Sequence, residues 1–540
     1  MDSDTIFGTL GPDFFLEGTQ QDDVIAALDG DDTISARNGN DTLVGGLGND
    51  LLRGGRGDDV YIYNLGDGQD VITDAGDSNF SRIDADTLII NGYNSSDATF
   101  DRFASVSNLE AINLIIDFGA GDSITIANTL EADSNEIEEI IFADDGVVFR
   151  TSELQELLIE QSQTTGDDEV IGFSAADDTL EGGLGNDTLS GLFGDDTYIF
   201  NRGDGQDIID DEGFGSDNDS LIINGHNSSD ATFSRDSQFG NGLVIDFDNG
   251  DSISIIQTFN DGTRNEIEEV VFADDSVTFG TAELQQLLIE QSQTTGDDEV
   301  IGFNTRDDTL EGGVGDDELR GLRGDDTYIF NLGDGQDTIN DSGGDSADSL
   351  IINDYNFSDA SFGRLFNNTL VIDFGDGDAV ELQNGLAEIS NSDQIEEVIF
   401  SDITLTTDDL QGILLDQAST DGDDEIIGFD GEDTIEGGLG NDTINGREGN
   451  DTLSGGVGND TFVFDNVAGE TTVRDFTNDI VESDILDISV FAFTDIADLQ
   501  SQMAITEDSG DTRIQLRADA SIVLEGVAAS TLDDDDFIFV

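Results

Sequence analysis

Aspartate recurs in this chain at a fixed interval, each copy following a cluster of glycines and preceding an apolar residue by two positions. Asp23, Asp32, Asp41, Asp50 and Asp59 stand nine residues apart. The pattern returns at Asp168, Asp178, Asp187 and Asp196, at Asp298, Asp308, Asp317 and Asp326, and at Asp424, Asp433, Asp442, Asp451 and Asp460. An ionised carboxylate is an acceptor-only oxygen ligand, so an ordered array of them is chemistry for a hard cation. If the turns stack at a strand spacing of ~4.8 Å, two neighbouring carboxylates repel by ~3.5 kcal/mol at an effective dielectric near 20. Repeated along an edge, that is comparable with a domain's whole net stability of ~5 to 15 kcal/mol, so the stack needs a cation. Calcium fits best, because it accepts many oxygens in flexible geometry, including carbonyls exposed by glycine turns. Magnesium demands near-ideal octahedra, and zinc prefers the His and Cys ligands of which this chain has one and none.

The unit that positions these aspartates is a nonapeptide, as in Val44-Gly-Gly-Leu-Gly-Asn-Asp-Leu-Leu52 and Arg53-Gly-Gly-Arg-Gly-Asp-Asp-Val-Tyr61. Counted from the first glycine, aspartate is sixth and an apolar residue eighth. The glycine-rich six residues suit a tight turn and the last three a very short strand. Two nonapeptides then make one flattened coil. Stacked coils give parallel strands whose eighth residues, Ile34, Leu43, Leu52 and Tyr61 in the first cassette, form thin inward ladders. Residues eighteen apart come into line, so Asp32 sits over Asp50 and Asp41 over Asp59.

The cassettes are interrupted. Gln161 to Phe173 reappears unchanged at Gln291 to Phe303, 130 residues on, and a third version starts at Gly422. The reading is an all-β chain: four parallel β-roll segments alternate with three β-rich spacer domains, each ending in a short capping helix, and a β-rich C-terminal domain follows. The boundaries are roll 1 at 1–63 with an irregular N-terminal cap, spacer 1 at 64–165, roll 2 at 166–200, spacer 2 at 201–295, roll 3 at 296–330, spacer 3 at 331–421, roll 4 at 422–464 and the C-terminal domain at 465–540. The first helix is expected over Ser152 to Gln161, with Ser152 as N-cap and Leu154, Leu157 and Leu158 forming one apolar stripe. Its counterparts lie at Leu284 to Glu290 and Leu410 to Leu415, and each is expected to cap the next roll.

With 123 acidic residues against 17 basic ones, all arginine, the net charge is −106. Such a chain repels nucleic acid and anionic membrane surfaces and needs counter-ions to stay compact. The absence of cysteine excludes disulfides and thiolate metal sites. No run approaches the ~18 apolar residues of a membrane span, and the first residues lack the basic and apolar regions of a classical signal peptide, so no membrane insertion is expected.

Val44 to Leu52 and Glu436-Gly-Gly-Leu-Gly-Asn-Asp-Thr-Ile444 resemble the RTX (haemolysin-type) calcium-binding repeat. The resemblance implies a parallel β-roll with calcium ions between successive turns, the sixth-position aspartates as metal ligands, and secretion by a type I exporter that reads an uncleaved C-terminal signal. The spacers resemble the domain that accompanies such repeats. The tail resembles the C-terminal region of secreted members, with Asp533-Asp-Asp-Asp before Phe-Ile-Phe-Val540. Departures occur at Ala175-Ala176, where glycine is expected, and at Asn304-Thr-Arg306 in the same place of the third cassette.

Other residues read as structural. His226 stands where the other copies carry Tyr93 and Tyr355, which makes it a structural substitute. Arg102, Arg235 and Arg364 recur in one motif and suggest internal ion pairs. For Asp67, Asp70 and their copies Asp204, Asp207, Asp334 and Asp337, calcium ligation and a plain Asp-Gly turn both stay open. No His-Glu-x-x-His or Gly-x-Ser-x-Gly motif is present. A pore-forming toxin of the family would need an apolar region and acylated lysine, neither of which the chain contains. The expected function is that of a secreted, extracellular, calcium-binding and non-enzymatic surface, matrix or adhesion component. Its partners would be calcium ions, a type I exporter, and cell-surface polysaccharide or other copies of itself. The alternative is a carboxylate-based, polysaccharide-active enzyme carrying the repeats.

Overall fold

The computed structural model describes residues 4–540 apart from 75–84, 106–107, 128, 131–136, 175, 212–216, 237–241, 257, 260–266, 305, 342, 344–346, 366–367, 387–394, 466–467, 479–481 and 503. Of the two departures from the repeat, Ala175 and Thr305 therefore lie outside the described residues. The chain divides into two units, Met1–Leu284 and Gln285–Val540.

In the first unit the nonapeptides alternate between two sheets. One sheet runs Thr5–Phe7, Val24–Asp29, Thr42–Leu47, Val60–Asn64, Thr87–Asn91, Glu139–Phe142 and Val147–Arg150 in spatial order. The facing one contains Leu16–Glu17, Thr33–Asn38, Leu51–Arg56 and Gln69–Ile72, followed by Asp122–Ile126 and its antiparallel neighbours Asn108–Gly119 and Thr99–Ser105. Pairing within the rolls is parallel and skips one strand, because each coil contributes one strand to each sheet. Leu43 lies beside Tyr61, and Tyr61 beside Leu88. Ile34 lies beside Leu52, and Leu52 beside Ile72. Ile34, Leu43, Leu52 and Tyr61 are all buried, forming the inward ladders that the eighth position predicts.

The same sheets run on into the spacer. Thr87–Asn91 continues one and Gln69–Ile72 the other, so the Gly66-Asp-Gly-Gln-Asp70 segment is a further turn of the coil that ends in a strand. The spacer then adds a hairpin to the edge of each sheet. The second copy repeats the arrangement from Glu169–Ile171 to Val277–Gly280, and the second unit does so from Glu299–Ile301 to Thr404–Thr406.

The helices that close the three spacers are Thr151–Ser162, Thr281–Ser292 and Thr407–Ala418, and a shorter one, Ile496–Ser501, lies in the C-terminal region. The first starts earlier than its sequence suggests: Arg150 is the N-cap and pairs with Glu153 in the capping box, while Ser152 lies inside the helix. The reason is that strand Val147–Arg150 leads straight into the helix and places its turn one step earlier. Leu154, Leu158 and Ile159 form the buried face, and Leu157 is half-buried. Gln155 is also buried and donates to the Leu130 carbonyl at 3.0 Å. This helix packs on the first strand of roll 2, Glu169–Ile171, and the helix Thr407–Ala418 packs on Glu425–Ile427 and Thr434–Glu436 of roll 4, in keeping with capping.

After roll 4 the two sheets continue through Gly469–Val473 and Ile485–Asp487, and the chain's last strand, Phe537–Ile538, pairs in parallel with Leu486 and Asp487. The acidic run ahead of it forms a short turn in which Asp533 accepts from the Asp535 amide, and Asp534 accepts from Ile496.

Two of the three recurrent spacer arginines, Arg102 and Arg364, bind backbone carbonyls. Arg102 donates to the carbonyls of Ile171 and Gly172 and lies over the Phe173 ring at 4.7 Å. Arg364 donates to Ile427 and Gly428 at 3.1 and 3.0 Å and lies over Phe429 at 4.0 Å. Each sits at the entrance of a roll, where the first turn has carbonyls with no preceding nonapeptide to receive them. A guanidinium with several fixed donors satisfies these carbonyls.

Candidate metal centre

The glycines decide where each aspartate points. At Gly45 an added Cβ would lie 2.3 Å from Asp50 Oδ2, so the first glycine of the nonapeptide leaves the room into which the carboxylate folds back. Gly46 has φ near +98°, and a Cβ there would meet the Leu28 carbonyl of the preceding coil at 1.8 Å. Gly46→Ala should therefore combine left-handed strain with a backbone clash and cost roughly 2 to 4 kcal/mol. A calcium-dependent melting curve on the variant would read this as a lowered transition, and an unchanged curve would contradict the close-approach account.

Held this way, the sixth-position aspartates form two ladders. Oδ1 of each accepts the backbone N–H of the aspartate one coil earlier: Asp41 from Asp23 at 2.6 Å, Asp50 from Asp32 at 2.8 Å and Asp59 from Asp41 at 2.7 Å. The same bond joins Asp187 to Asp168, Asp196 to Asp178, Asp317 to Asp298, Asp326 to Asp308, Asp442 to Asp424, Asp451 to Asp433 and Asp460 to Asp442. The second oxygen is treated differently. Oδ2 of Asp32, Asp41, Asp50, Asp187, Asp196, Asp317, Asp326, Asp442 and Asp460 is buried without a hydrogen-bond partner. Stranded carboxylate oxygens are costly, and a cation bound by oxygen removes that cost, so the donor set fits calcium.

Burial, with neighbouring carboxylates adding to it, raises the proton affinity of these groups. Asp41 and Asp50 are pushed up to about 6, and Asp196 and Asp326 to about 7, although a backbone N–H bond opposes the shift in each.

The ladders end differently at the roll entrances. Asp168 accepts from the amide and hydroxyl of Thr164, and Asp298 and Asp424 accept in the same way from Thr294 and Thr420. Asp23 takes the Thr19 amide. Asp178 and Asp433 accept the amides of Phe173 and Phe429. Asp308 accepts from Phe303 and faces the Arg306 guanidinium at 2.9 Å. The chain itself supplies donors to the first aspartates of each roll, whereas the nine named above keep an oxygen aimed into the stack.

Several ladder members lie outside the nonapeptide. Asp70, Asp207 and Asp337 accept from Asp50, Asp187 and Asp317, so the last aspartate of the Gly-Asp-Gly-Gln-Asp motif takes the ladder's backbone bond. Oδ2 of Asp207 and Asp337 is buried without a partner, as in the rolls. Asp67, Asp204 and Asp334 instead accept from Asn64, Asn201 and Asn331 and hold a turn. The carboxylates of Asp86, Asp219 and Asp348 accept from the amides of Asp59, Asp196 and Asp326, and their own backbone amides donate to Glu138, Glu268 and Glu396. In the tail, Asp484 accepts from Asp460. The only sequence signal for these was an aspartate recurring at matching places in each long repeat.

His226 is buried, stacks on Phe247 at 4.0 Å and meets Asp251 at 3.2 Å. Tyr355 stacks on Phe374 at 4.2 Å and donates to Asp378, so the histidine fills the tyrosine's place.

Stacked parallel coils with carboxylates turned inward define a calcium-binding β-roll protein. The chain carries RTX calcium-binding nonapeptide repeats, matched at residues 15–43, 35–72, 174–209, 304–339, 419–444 and 427–462, together with a haemolysin-type calcium binding protein related domain at 113–151. No curated protein matches the chain. Among solved structures it is similar to the extracellular lipase LipA from Serratia marcescens, with 17% identity over 46% of this chain and 41% of that one and a TM-score of 0.18. It is also similar to the AlgE6R3 subunit of the Azotobacter vinelandii mannuronan C5-epimerase, with 24% identity over 22% of this chain and 80% of that one and a TM-score of 0.10. The chain thus spans less than half the length of the lipase.

Proposed function

We propose that this protein works outside the cell as a calcium-binding repeat protein whose rolls fold as calcium is taken up, and that it is a non-enzymatic surface, matrix or adhesion component. The observation that carries the reading is the series of buried Oδ2 atoms, each on an aspartate whose Oδ1 is already tied to the backbone. Such oxygens position a cation and present nothing to a polymer substrate, because they face the inside of the stack. The bound ion supplies positive charge to that interior. The chain's own part is to stay extended while calcium is scarce, through mutual repulsion of its carboxylates, and so to remain exportable by a type I system.

Two measurements test this together. Equilibrium dialysis should find several calcium ions per chain, with affinities near the ~10⁻⁴ to 10⁻³ M of extracellular modules. In cells with the matching exporter, the intact chain should reach the medium while a chain lacking residues 533–540 stays inside. Absence of calcium binding would remove the first part of the reading, and normal export of the shortened chain would remove the second.

A further inference from the structure

We propose a distinct calcium site at the exit of a roll, built from the last nonapeptide aspartate and two spacer aspartates that belong to no nonapeptide. It rests on the calcium reading above and extends it to residues outside the repeat. Asp326, Asp341 and Asp348 each bring a carboxylate oxygen within 4.8 Å of the other two, and Asp59, Asp74 and Asp86 do the same in the first copy. All six are buried.

The groups are aimed at a common point. Asp326 Oδ2 is buried without a hydrogen-bond partner, as are both carboxylate oxygens of Asp341. Asp326 and Asp348 are locked by their other oxygens, since Asp326 Oδ1 accepts from Asp308 and Asp348 Oδ1 accepts from Asp326, both at 2.7 Å. In the first copy Asp86 Oδ1 accepts from Asp59 at 2.7 Å, and Asp74 Oδ1 accepts from Gly55 at 3.0 Å. The chain between the paired aspartates differs in length, 27 residues from Asp59 to Asp86 and 22 from Asp326 to Asp348, yet it ends on the same bond. A loop that varies while its carboxylate returns to one place points to a requirement at that place.

Three converging carboxylates with no sulfur or imidazole among them define a site for a hard divalent cation, and calcium is the one whose geometry tolerates them. The ion would join the roll to its spacer, so that the last coil cannot order without the first spacer turns.

A tyrosine stands beside each trio. Tyr328 Oη accepts from Gly321 at 2.7 Å, and a Cβ on Gly321 would touch both Asp326 Oδ2 and Tyr328 Oη. Tyr61 donates to Asp74 at 2.9 Å. With six tyrosines and no tryptophan in the chain, terbium emission excited through tyrosine reports on these junctions. The experiment uses the full chain, with calcium counted by equilibrium dialysis and terbium as the luminescent probe. Asp341→Asn with Asp348→Asn should bind one ion per chain fewer than the parent and show weaker sensitised emission. An equal ion count and equal emission would overturn the site while leaving the nonapeptide reading intact. A parent chain that binds neither calcium nor terbium would defeat both. Should the double variant lose the strand signal of its rolls, Tyr328→Phe decides: lower sensitised emission supports a cation beside Tyr328, and emission equal to the parent's overturns it.

Discussion

Held in chelator at pH 7.5, the protein is expected to show little strand signal by circular dichroism and to gain it steeply as calcium is added. The ladders bury carboxylates one above another, with Oδ2 of Asp32, Asp41 and Asp50 in the first roll and Asp317 and Asp326 in the third lacking any donor. A site with a Kd of ~10⁻⁴ M contributes ~1.4 kcal/mol of folding stability at ~1 mM calcium and almost nothing at trace levels. Several such sites in series equal the ~5 to 15 kcal/mol by which a domain is normally stable. Because each coil packs only on its neighbours, the gain should be cooperative within a roll. A full strand signal in chelator, unchanged by calcium, would show that the carboxylates are tolerated without a cation and would remove the central physical claim.

The second large effect is expected from acid. Burial raises Asp41 and Asp50 to about 6, Asp196, Asp207, Asp326 and Asp337 to about 7 and Asp70 to about 8, against an ordinary value of 3.8. In the folded, calcium-free chain these groups hold protons that the unfolded chain releases. Their contribution to stability is therefore fully present below pH 3.8 and is lost as pH rises through about 6 to 8. Lowering the pH from 8 to 5 in chelator should then produce strand signal without calcium, while the same change should weaken calcium binding, because protons and calcium compete for the same oxygens. The sequence pI near 4.1 sets the lower limit of the experiment, since the chain loses its solubilising charge there. Strand signal that stays absent down to pH 5, or calcium affinity that rises on acidification, would contradict the sign of the effect.

The rolls were legible because their period is an integer in sequence and in space. Asp32 to Asp50 and Asp41 to Asp59 are each one coil of 18 residues, and each pair makes the same backbone-to-carboxylate bond. Counting alone could find them. The roll exits were not legible, because 27, 23 and 22 residues separate Asp59 from Asp86, Asp196 from Asp219 and Asp326 from Asp348, and no single spacing reports three such loops. The partners of the recurrent arginines were not legible either, because Arg102 and Arg364 reach carbonyls 70 and 64 residues further on, and a phenylalanine ring, at the entrance of a roll.

Composition and period by themselves determine that this chain is an acidic, glycine-punctuated coil whose aspartates require a hard cation, since both the turn geometry and the repulsion follow from residues close in sequence. Only the tertiary structure decides which aspartates keep an oxygen for that cation and which spend both on the chain. Asp168, Asp298 and Asp424 carry the same motif as Asp187 and Asp317, yet sit at the open end of a stack, where threonine donors reach them and no earlier coil does. The difference is position along the stack, which depends on what has folded on either side.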